Sequence, residues 1–291
     1  MNDKAQELRK EACPKCRSMG RDNAGNNLSI YLNSDGTESA HCWSCKYTRA
    51  SSSHKKETYK DRYEYGIQMA GEFTLDMWKT FKETTGSDPR KWSALNEETC
   101  SKYGVRHQYD EKGNVTFQYY PITKNNDLVG IKWRSADKKW YNKGEADSSC
   151  DLFGQVSFLT TTSKNVIISS GEKDALSIYQ VLNEYCKTKN WETPPVVCSV
   201  TGEGGYKQYQ NNYEWLDKFD KIIICPDNDE PGQQHLHNLV KVLPRNKIYL
   251  MELPYKDANE CLQKGKTGKI IDGMFKPRSY TPSGIIRIRR S

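Results

Sequence analysis

Short apolar segments alternate with longer amphipathic segments in the second half of the chain. Each apolar segment has the length of a buried strand. These segments cover residues 166–169, 195–200, 221–225 and 248–253. Between them, residues 172–187 and 231–243 have apolar positions at helical spacing, and Pro231 stands in the first turn of the second helix. The alternation predicts a parallel sheet with crossover helices.

The first half of the chain has a different pattern. Residues 115–121 and 128–134 are rich in β-branched and aromatic residues, and Asn125 and Asn126 between them favour a turn, which predicts an antiparallel hairpin. Residues 11–48 have little apolar content and cannot form a core without help. We therefore predict an α/β protein, α+β overall, with a small all-β unit, a mixed α+β subdomain and a parallel sheet with flanking helices.

The composition argues against membrane-spanning and secreted proteins. The 291 residues contain no apolar run of the roughly 18 residues that a membrane span requires. The start of the sequence, Met-Asn-Asp-Lys, has no apolar region typical of a secretory signal. We expect a cytoplasmic protein that does not bind membranes, in which the ten cysteines are metal ligands or buried thiols and not disulfides.

Charge is distributed unevenly along the chain. The net charge is +7, but residues 1–62 carry +4 and residues 264–291 carry +7, so the middle of the chain carries −4. An acidic centre between basic ends suits a protein that binds cations in one place and phosphates in others. Ordinary solvated charge would give the same balance.

Four cysteines near the N-terminus have the spacing of a metal site. Cys13 and Cys16 form one pair and Cys42 and Cys45 the other, with 25 residues between the pairs. Two residues between thiolates let both bind one tetrahedral ion, so we predict one structural Zn²⁺ held by four thiolates. Two disulfides or four unrelated thiols are the alternatives. Trp43 is placed either to stack on single-stranded nucleic acid or to fill the small core.

Two carboxylates follow the strand predicted over residues 221–225. Asp227 and Asp229 precede the next helix, at the edge of the sheet where open α/β folds bind their ligands. Two such carboxylates without a basic neighbour favour a hard cation such as Mg²⁺. Asp174 and Asp257 occupy corresponding positions beside other strands, although Asp257 could instead be only a helix N-cap.

Five motifs in one order resemble the TOPRIM domain proteins, which include DnaG-type primases, topoisomerases and related nucleases. The resemblance narrows to the primase half of bacteriophage primase–helicases and the mitochondrial helicase Twinkle, and it covers nearly the whole chain. Besides the four cysteines, it rests on Gly-Ile-Lys-Trp-Arg at 130–134, Gly-Glu-Lys-Asp-Ala-Leu at 171–176, Asp-Asn-Asp-Glu-Pro-Gly at 227–232 and Lys-Asp-Ala-Asn-Glu at 256–260. Each motif is weak alone, but five in register are highly specific.

The resemblance implies a DNA primase. Such a nucleotidyltransferase makes short RNA primers from nucleoside triphosphates (NTPs) on a single-stranded DNA template, here in phage DNA replication. It implies that Asp227, Asp229 and Asp257 hold catalytic Mg²⁺ or Mn²⁺, and that Asp174 and Glu172 complete the catalytic acids.

The resemblance also implies nucleic-acid or triphosphate binding by Lys132, Arg134 and Lys138, with Trp43 contacting the template. Lys132 and Arg134 alternate along one predicted strand and so share a face, although a solvated strand face has the same pattern. A separate replicative helicase and a DNA polymerase are the implied protein partners. The implied location is the cytoplasm of an infected bacterial host.

These features divide the chain into five predicted parts. They are a zinc ribbon for template recognition (1–48), a basic flexible linker (49–62), the N-terminal part of the RNA polymerase domain (63–163), the TOPRIM catalytic subdomain (164–263) and a basic C-terminal tail (264–291).

Two features depart from the family pattern. Ser170 stands where the family has its first acid, and a serine is neither a carboxylate ligand nor a general base at neutral pH. Glu172 is close, but two positions along a helix it would face away. The sequence also lacks the P-loop pattern of a helicase motor, so we expect a stand-alone primase or a fragment of a longer protein.

Two other functions stay open at this point. Ser170 is compatible with a catalytically degenerate module that holds single-stranded DNA for a replicative helicase. A TOPRIM nuclease is the third possibility, which the cysteine ribbon and the primase-like segment 130–143 disfavour. The four aspartates favour an active primase over both alternatives.

Overall fold

The computed structural model divides the chain into two units, one within residues 1–66 and one within residues 67–291. The residues that it describes are 6–18, 21–22, 24–32, 38–49, 73–193, 195–201 and 205–280. The predicted linker beyond Arg49 and the end of the predicted basic tail, residues 281–291, lie outside this set.

The first unit is a four-stranded antiparallel sheet in the order β1-β2-β3-β4. Its elements are β1 (Gln6–Glu11), α1 (Pro14–Ser18), β2 (Leu28–Leu32), β3 (Glu38–Cys42) and β4 (Thr48–Arg49). Among its described residues, the apolar core consists of Leu28, Ile30 and Ala40 besides the cysteines, with the partly buried Tyr47 packed against them. So small a core contributes little stability by itself, as is typical of small units that a bound metal ion stabilises. The short helix α1 is an addition to the predicted all-β unit.

The second unit begins with two short helices and an antiparallel sheet in the order β5-β6-β7-β8. These elements are α2 (Leu75–Thr84), α3 (Glu97–Lys102), β5 (Arg106–Tyr109), β6 (Val115–Lys124), β7 (Asp127–Ser135) and β8 (Trp140–Gly144). Both helices start at side-chain caps. Thr74 accepts the N–H of Met77, and Asn96 accepts the N–H of Thr99.

The predicted hairpin is formed by β6 and β7. Asn125 and Asn126 join the strands with φ values of 52° and 71°, the left-handed pair typical of a tight hairpin turn. On one face of this sheet, Phe117 and Ile131 belong to a small apolar cluster with α2. On the other face, Tyr120 joins the main core of the unit. This face of the antiparallel sheet therefore contributes to the main core of the unit.

Five strands form the second sheet, in the order β10-β9-β11-β12-β13. The first four are parallel to one another, and β13 lies antiparallel at the edge. The elements in chain order are β9 (Asn165–Ser169), α4 (Glu172–Thr188), β10 (Val196–Ser199), α5 (Gly205–Asn211), α6 (Tyr213–Leu216), β11 (Lys221–Cys225), α7 (Glu230–Val242), β12 (Ile248–Leu250), α8 (Ala258–Gln263), α9 (Thr267–Phe275) and β13 (Arg278–Ser279).

The central strands are almost entirely buried, as a parallel sheet covered by helices on both faces requires. Helix α4 packs against α8 and α9, and α5 packs against α7. The predicted parallel sheet with flanking helices is confirmed. Among the described residues, no helix combines the length and the apolarity needed to cross a membrane.

The predicted basic tail needs correction in its first part. Residues 264–280 contain α9 and β13, and Ile270 of α9 is fully buried in the main core. Strand β13 pairs with β12, and Arg278 forms an ion pair with Glu252. Ile270, Ile271 and Met274 of α9 do have helical spacing, but the high density of Lys and Arg around them led to the prediction of a tail, and β13 has only two residues.

Candidate active site and metal centre

The four cysteines of the first unit form one cluster. Cys13, Cys16 and Cys42 are fully buried, and Cys45 is partly buried. The sulfur atoms of all four cysteines lie within 4.8 Å of one another. The Sγ atoms of Cys13 and Cys45 are 3.5 Å apart, and those of Cys16 and Cys42 are 3.6 Å apart. A tetrahedral zinc ion with Zn–S bonds of about 2.3 Å needs Sγ separations of about 3.8 Å. The cluster therefore fits one four-coordinate Zn²⁺.

Asp22 is a structural residue of this cluster that the sequence pattern did not predict. Its side chain is buried, and its two oxygens accept the backbone N–H groups of Cys13 at 2.6 Å and Asn26 at 3.0 Å. These bonds fix the loop that carries the first cysteine pair. An acid six residues after a Cys-x-x-Cys pair is a weak sequence signal, since turns are rich in Asp.

Trp43 does not fill the core of this unit. Its side chain is 67% exposed, and its Nε1–H donates to the hydroxyl of Tyr31 at 3.2 Å. The ring of His41 contacts it edge-on, with centroids 4.5 Å apart. Of the two sequence-based interpretations, the buried one is wrong. The exposed indole, beside the partly buried rings of Tyr31 and His41, has the chemistry to stack on nucleobases.

In the second unit, three aspartates come together at the carboxyl edge of the parallel sheet. Asp174 lies in the first turn of α4, Asp227 follows β11 and Asp257 caps α8. Burial, together with the negative charges of Asp257 and Asp227, raises the pKa of Asp174 to about 7. Burial also raises the pKa of Asp227, with Asp257 and Asp229 adding to the effect. The sheet edge thus concentrates negative charge that the nearby cations offset only in part.

Each oxygen of the Asp229 carboxylate already has a partner within the protein. Its Oδ1 caps α7 by accepting the N–H of Gly232 at 2.9 Å, and its Oδ2 pairs with Lys256 Nζ at 3.0 Å. Both contacts hold the pKa of Asp229 below its usual value. The sequence around Asp227 and Asp229 contains no basic neighbour. In the folded chain, however, Lys256, the residue before Asp257, brings a positive charge next to Asp229.

Asp257 and Asp174 also make local hydrogen bonds. Asp257 Oδ1 accepts the N–H of Glu260 at 2.7 Å, so it is the N-cap that the sequence allowed, as well as a neighbour of the other acids. Asp174 Oδ1 accepts the backbone N–H of Asn259 at 2.9 Å. Each bond uses one oxygen, which leaves the second oxygen of each carboxylate for another ligand.

Gly232 explains the end of the Asp-Asn-Asp-Glu-Pro-Gly motif. A Cβ at this position would lie 2.3 Å from the backbone oxygen of Asp227. No side chain fits at that distance. The glycine therefore lets the first turn of α7 approach the strand end and hold Asp227 and Asp229 close together.

Glu172 is paired with a lysine of the antiparallel sheet. Its carboxylate is buried and pairs with Lys132 of β7, with Oε1 and Nζ 2.7 Å apart. The Lys132 ammonium also lies 4.2 Å from the ring centroid of Trp140. Glu172 therefore serves as the counter-ion of Lys132 in this arrangement. The pair links the antiparallel sheet to α4.

Arg134 shares the Trp140 ring with Lys132. The guanidinium carbon of Arg134 lies 5.3 Å from the ring centroid. Its Nε is buried and has no hydrogen-bond partner within the described part of the chain. Lys138 lies apart from this group, exposed in the turn between β7 and β8 with a φ of 70°. Trp140, which no sequence motif singled out, thus holds two of the three predicted phosphate-binding cations.

The carboxylate edge has the donor atoms that a divalent cation needs, although they are spread more widely than the thiols of the cysteine cluster. Among the described residues, only the four cysteines place three or more potential ligand atoms within 4.8 Å of one another. The donors at the sheet edge are all oxygens, the ligands that Mg²⁺ prefers. Their crowding, visible in the raised pKa values of Asp174 and Asp227, is the condition that a cation relieves.

Comparison with known proteins agrees with this architecture. Residues 167–262 match the family described as Toprim-like. Together with the four-cysteine unit near the N-terminus, this match is consistent with the fold of a TOPRIM primase that carries a zinc ribbon.

The chain is similar in sequence to proteins named as phage primase–helicases and as Twinkle homologs. The DNA helicase/primase of Enterobacteria phage T3 is 27% identical over 269 residues, which cover 91% of this chain and 44% of that protein. The chloroplastic/mitochondrial Twinkle homolog protein of Arabidopsis thaliana is 25% identical over 187 residues, 60% of this chain and 25% of that protein. The chain thus spans less than half the length of these two relatives. Both predicted resemblances are confirmed.

Two solved structures extend the similarity. The primase fragment of the bacteriophage T7 primase–helicase aligns with a TM-score of 0.59 and 25% identity, covering 92% of this chain and 99% of that chain. The second contains T7 primase domains with the lagging-strand DNA polymerase, an RNA/DNA hybrid and dTTP. It aligns with a TM-score of 0.56 and 28% identity over 66% of this chain and 93% of that chain. These similarities support a primase-like function.

Proposed function

We propose that this chain is the priming part of a phage DNA replication system. It synthesises short RNA primers from NTPs on a single-stranded DNA template. The observation that carries the proposal is the convergence of Asp174, Asp227 and Asp257 at the carboxyl edge of the parallel sheet. Lys132 reaches the start of α4, the helix that carries Asp174, so phosphate-binding and metal-binding groups border one site.

Asp227, Asp229 and Asp257 would hold Mg²⁺ or Mn²⁺ through their oxygens, with Asp174 adding to the negative charge. When bound, two such ions activate the primer 3′-hydroxyl and neutralise the leaving pyrophosphate. Arg134 is the cation best prepared for the triphosphate, because its Nε has no partner among the described residues. Lys132 and the exposed Lys138 would bind further phosphates of the NTP or the template.

The first unit would select the template. The exposed Trp43 with its neighbouring rings suits stacking on unpaired bases. Lys15, Arg17 and Lys46 are exposed near the cysteine cluster and supply positive charge for the DNA backbone. Zn²⁺ in the cluster would be structural, because all four ligand positions are filled by protein.

Primer synthesis tests the proposal directly. Protein, Mg²⁺ or Mn²⁺, labelled NTPs and a random single-stranded DNA template should yield short template-dependent RNA. Asp227→Asn should abolish this product while single-stranded DNA binds as tightly as before or more tightly, because one negative charge is lost beside the phosphates. Asp217→Asn, which alters a carboxylate that pairs with Lys247, is the matched control and should prime normally. Normal priming by Asp227→Asn would rule out the metal assignment.

A second function is favoured by one observation. Ser170 brings no carboxylate to the end of β9, and Glu172 is committed to Lys132. A site without its first acid suits a module that binds single-stranded DNA for a replicative helicase and does not synthesise primers. Template-dependent RNA in the assay above excludes this alternative. DNA binding without any RNA, under conditions where a known phage primase is active, favours it.

The partners follow from the same proposal. Single-stranded DNA and NTPs are the substrates, and a replicative helicase and a DNA polymerase would receive the primer. The relative in phage T3 is named as a helicase and a primase together, and T7 primase domains have been observed with a DNA polymerase. The chain would act in the cytoplasm of an infected bacterial cell.

A further inference from the structure

Lys256 lies where a divalent cation would bind. Its Nζ pairs with Asp229 Oδ2 at 3.0 Å, and the other oxygen of Asp229 is occupied by the N–H of Gly232. A metal ion that binds Oδ2 therefore lies beside the Lys256 ammonium, and one that binds Oδ1 competes with the cap of α7. The ion pair is the weaker of the two obstacles, since the cap is part of a helix terminus and the pair is open to solvent.

The backbone of Lys256 is fixed by hydrogen bonds, whereas its side chain is solvent-exposed and can change conformation. Its N–H donates to Glu260 Oε2 at 3.1 Å, and its carbonyl accepts the N–H of Asn228 at 2.7 Å. The side chain is 59% exposed, against 33% for its partner Asp229. Four rotatable bonds on a fixed backbone let the ammonium move several ångströms without disturbing the strand end.

We infer that Lys256 is a resident counter-ion of Asp229 that a divalent cation displaces, and that the released ammonium then binds a phosphate of the incoming nucleotide. This inference rests on the proposed function. Before metal binds, the lysine limits the repulsion between Asp229 and its neighbours. After metal binds, positive charge at the cluster repels the ammonium, and the triphosphate is the nearest new anion.

Metal binding to the free protein tests the first step without any catalysis. Zinc-saturated protein is titrated with Mn²⁺, and free Mn²⁺ is measured by electron paramagnetic resonance. Lys256→Gln should lower the dissociation constant about three- to tenfold, because a competing cation is lost beside a divalent ion. Lys256→Arg, which keeps the charge, should stay near the wild-type value.

Lys187→Gln is the matched control. Lys187 is also a half-exposed lysine paired with a carboxylate, Glu98, but it lies in the last turn of α4, at the opposite end of that helix from Asp174. Its loss should leave the Mn²⁺ dissociation constant unchanged. Circular dichroism of each variant verifies that the fold is retained.

The second step has its own readout. In primer synthesis at saturating metal, Lys256→Gln should raise the KM for NTP several-fold, although its metal binds more tightly. An unchanged Mn²⁺ dissociation constant in Lys256→Gln overturns the inference while leaving the proposed function intact. Tighter Mn²⁺ with an unchanged KM overturns the phosphate contact. If Asp227→Asn binds Mn²⁺ as wild type does, the metal site itself is wrong and both proposals fail.

Discussion

The hydroxyl of Ser170 lies 3.0 Å from the backbone nitrogen of Asp227 and accepts its hydrogen. This bond joins the chain just after β9 to the chain just after β11, two strands that are neighbours in the sheet. A serine here therefore helps to shape the carboxylate site even though it carries no charge. The bond also places residue 170 next to the acid on which the proposed chemistry depends.

Ser170→Glu should increase primer synthesis. A carboxylate at this position would lie beside Asp227 and act as a base toward the primer hydroxyl, and a well-placed general base contributes about a hundredfold or more in rate. The rate of labelled primer formation measures the effect. Ser170→Gln, of the same size but without charge, should give no increase. Equal rates for both variants and the wild type would mean that this acid is dispensable here.

Glu172→Gln should destabilise the second unit by about 3 kcal/mol. The change leaves the Lys132 ammonium without its partner in a site where its side chain is only 19% exposed, and loss of one member of a buried pair costs about 3–5 kcal/mol. Urea denaturation gives the free energy of unfolding. Adding Lys132→Met should restore most of the loss, because no unpaired charge is then buried. If the double variant is as unstable as the single one, the pair is not the cause.

Gly232→Ala should reduce both stability and priming. The new methyl group would meet the Asp227 carbonyl at 2.3 Å, so the first turn of α7 must move away from the strand end. Such overpacking costs about 1–3 kcal/mol and displaces the two aspartates of the motif. Gly268→Ala is the control, because its Cβ would meet nothing within 4 Å and lies in a helix. Thermal unfolding and primer yield distinguish the two variants.

Zinc removal should affect the first unit alone. Elemental analysis of anaerobically purified protein should find one Zn²⁺ per chain, and Cys45→Ser should lose it together with the fold of that unit. Cys186→Ser, at a buried cysteine of α4, should keep the zinc. In Cys45→Ser the second unit should keep its own unfolding transition. Retention of zinc by Cys45→Ser would contradict the four-cysteine assignment.

Stability should fall as the pH drops below about 6.5 because of His107. Burial lowers the pKa of His107 from 6.5 to about 4, so the unfolded chain binds the proton first. The linked loss between pH 7.5 and pH 5 is about 2 kcal/mol. Urea denaturation at the two pH values should show this loss in the wild type and less of it in His107→Gln. The exposed His237 provides the control substitution, which should leave the pH dependence unchanged.

The strands of the second sheet and the helices that flank it could be predicted because the apolar residues of each follow the spacing of a strand or a helix. The meeting of Asp227 with Asp174 and Asp257 was also predictable, because the carboxyl ends of parallel strands share one edge. The ion pair of Asp229 with Lys256 and the ion pair of Glu172 with Lys132 could not be predicted from the sequence. Lys132 and Glu172 are 40 positions apart, and which carboxylate a flexible ammonium reaches depends on rotamers that no local pattern encodes.

Strand β13 sets a limit on where the chain can be shortened. It covers the outer edge of β12, and Tyr280 extends the pairing by donating its N–H to Ile248. A chain ending at residue 263 would lose this cover together with the buried Ile270 of α9. The bare backbone of β12 would then be free to pair with the same strand of another molecule. Self-association on truncation at residue 263 is the expected result, so a shortened form of the second unit should keep the chain at least to residue 280.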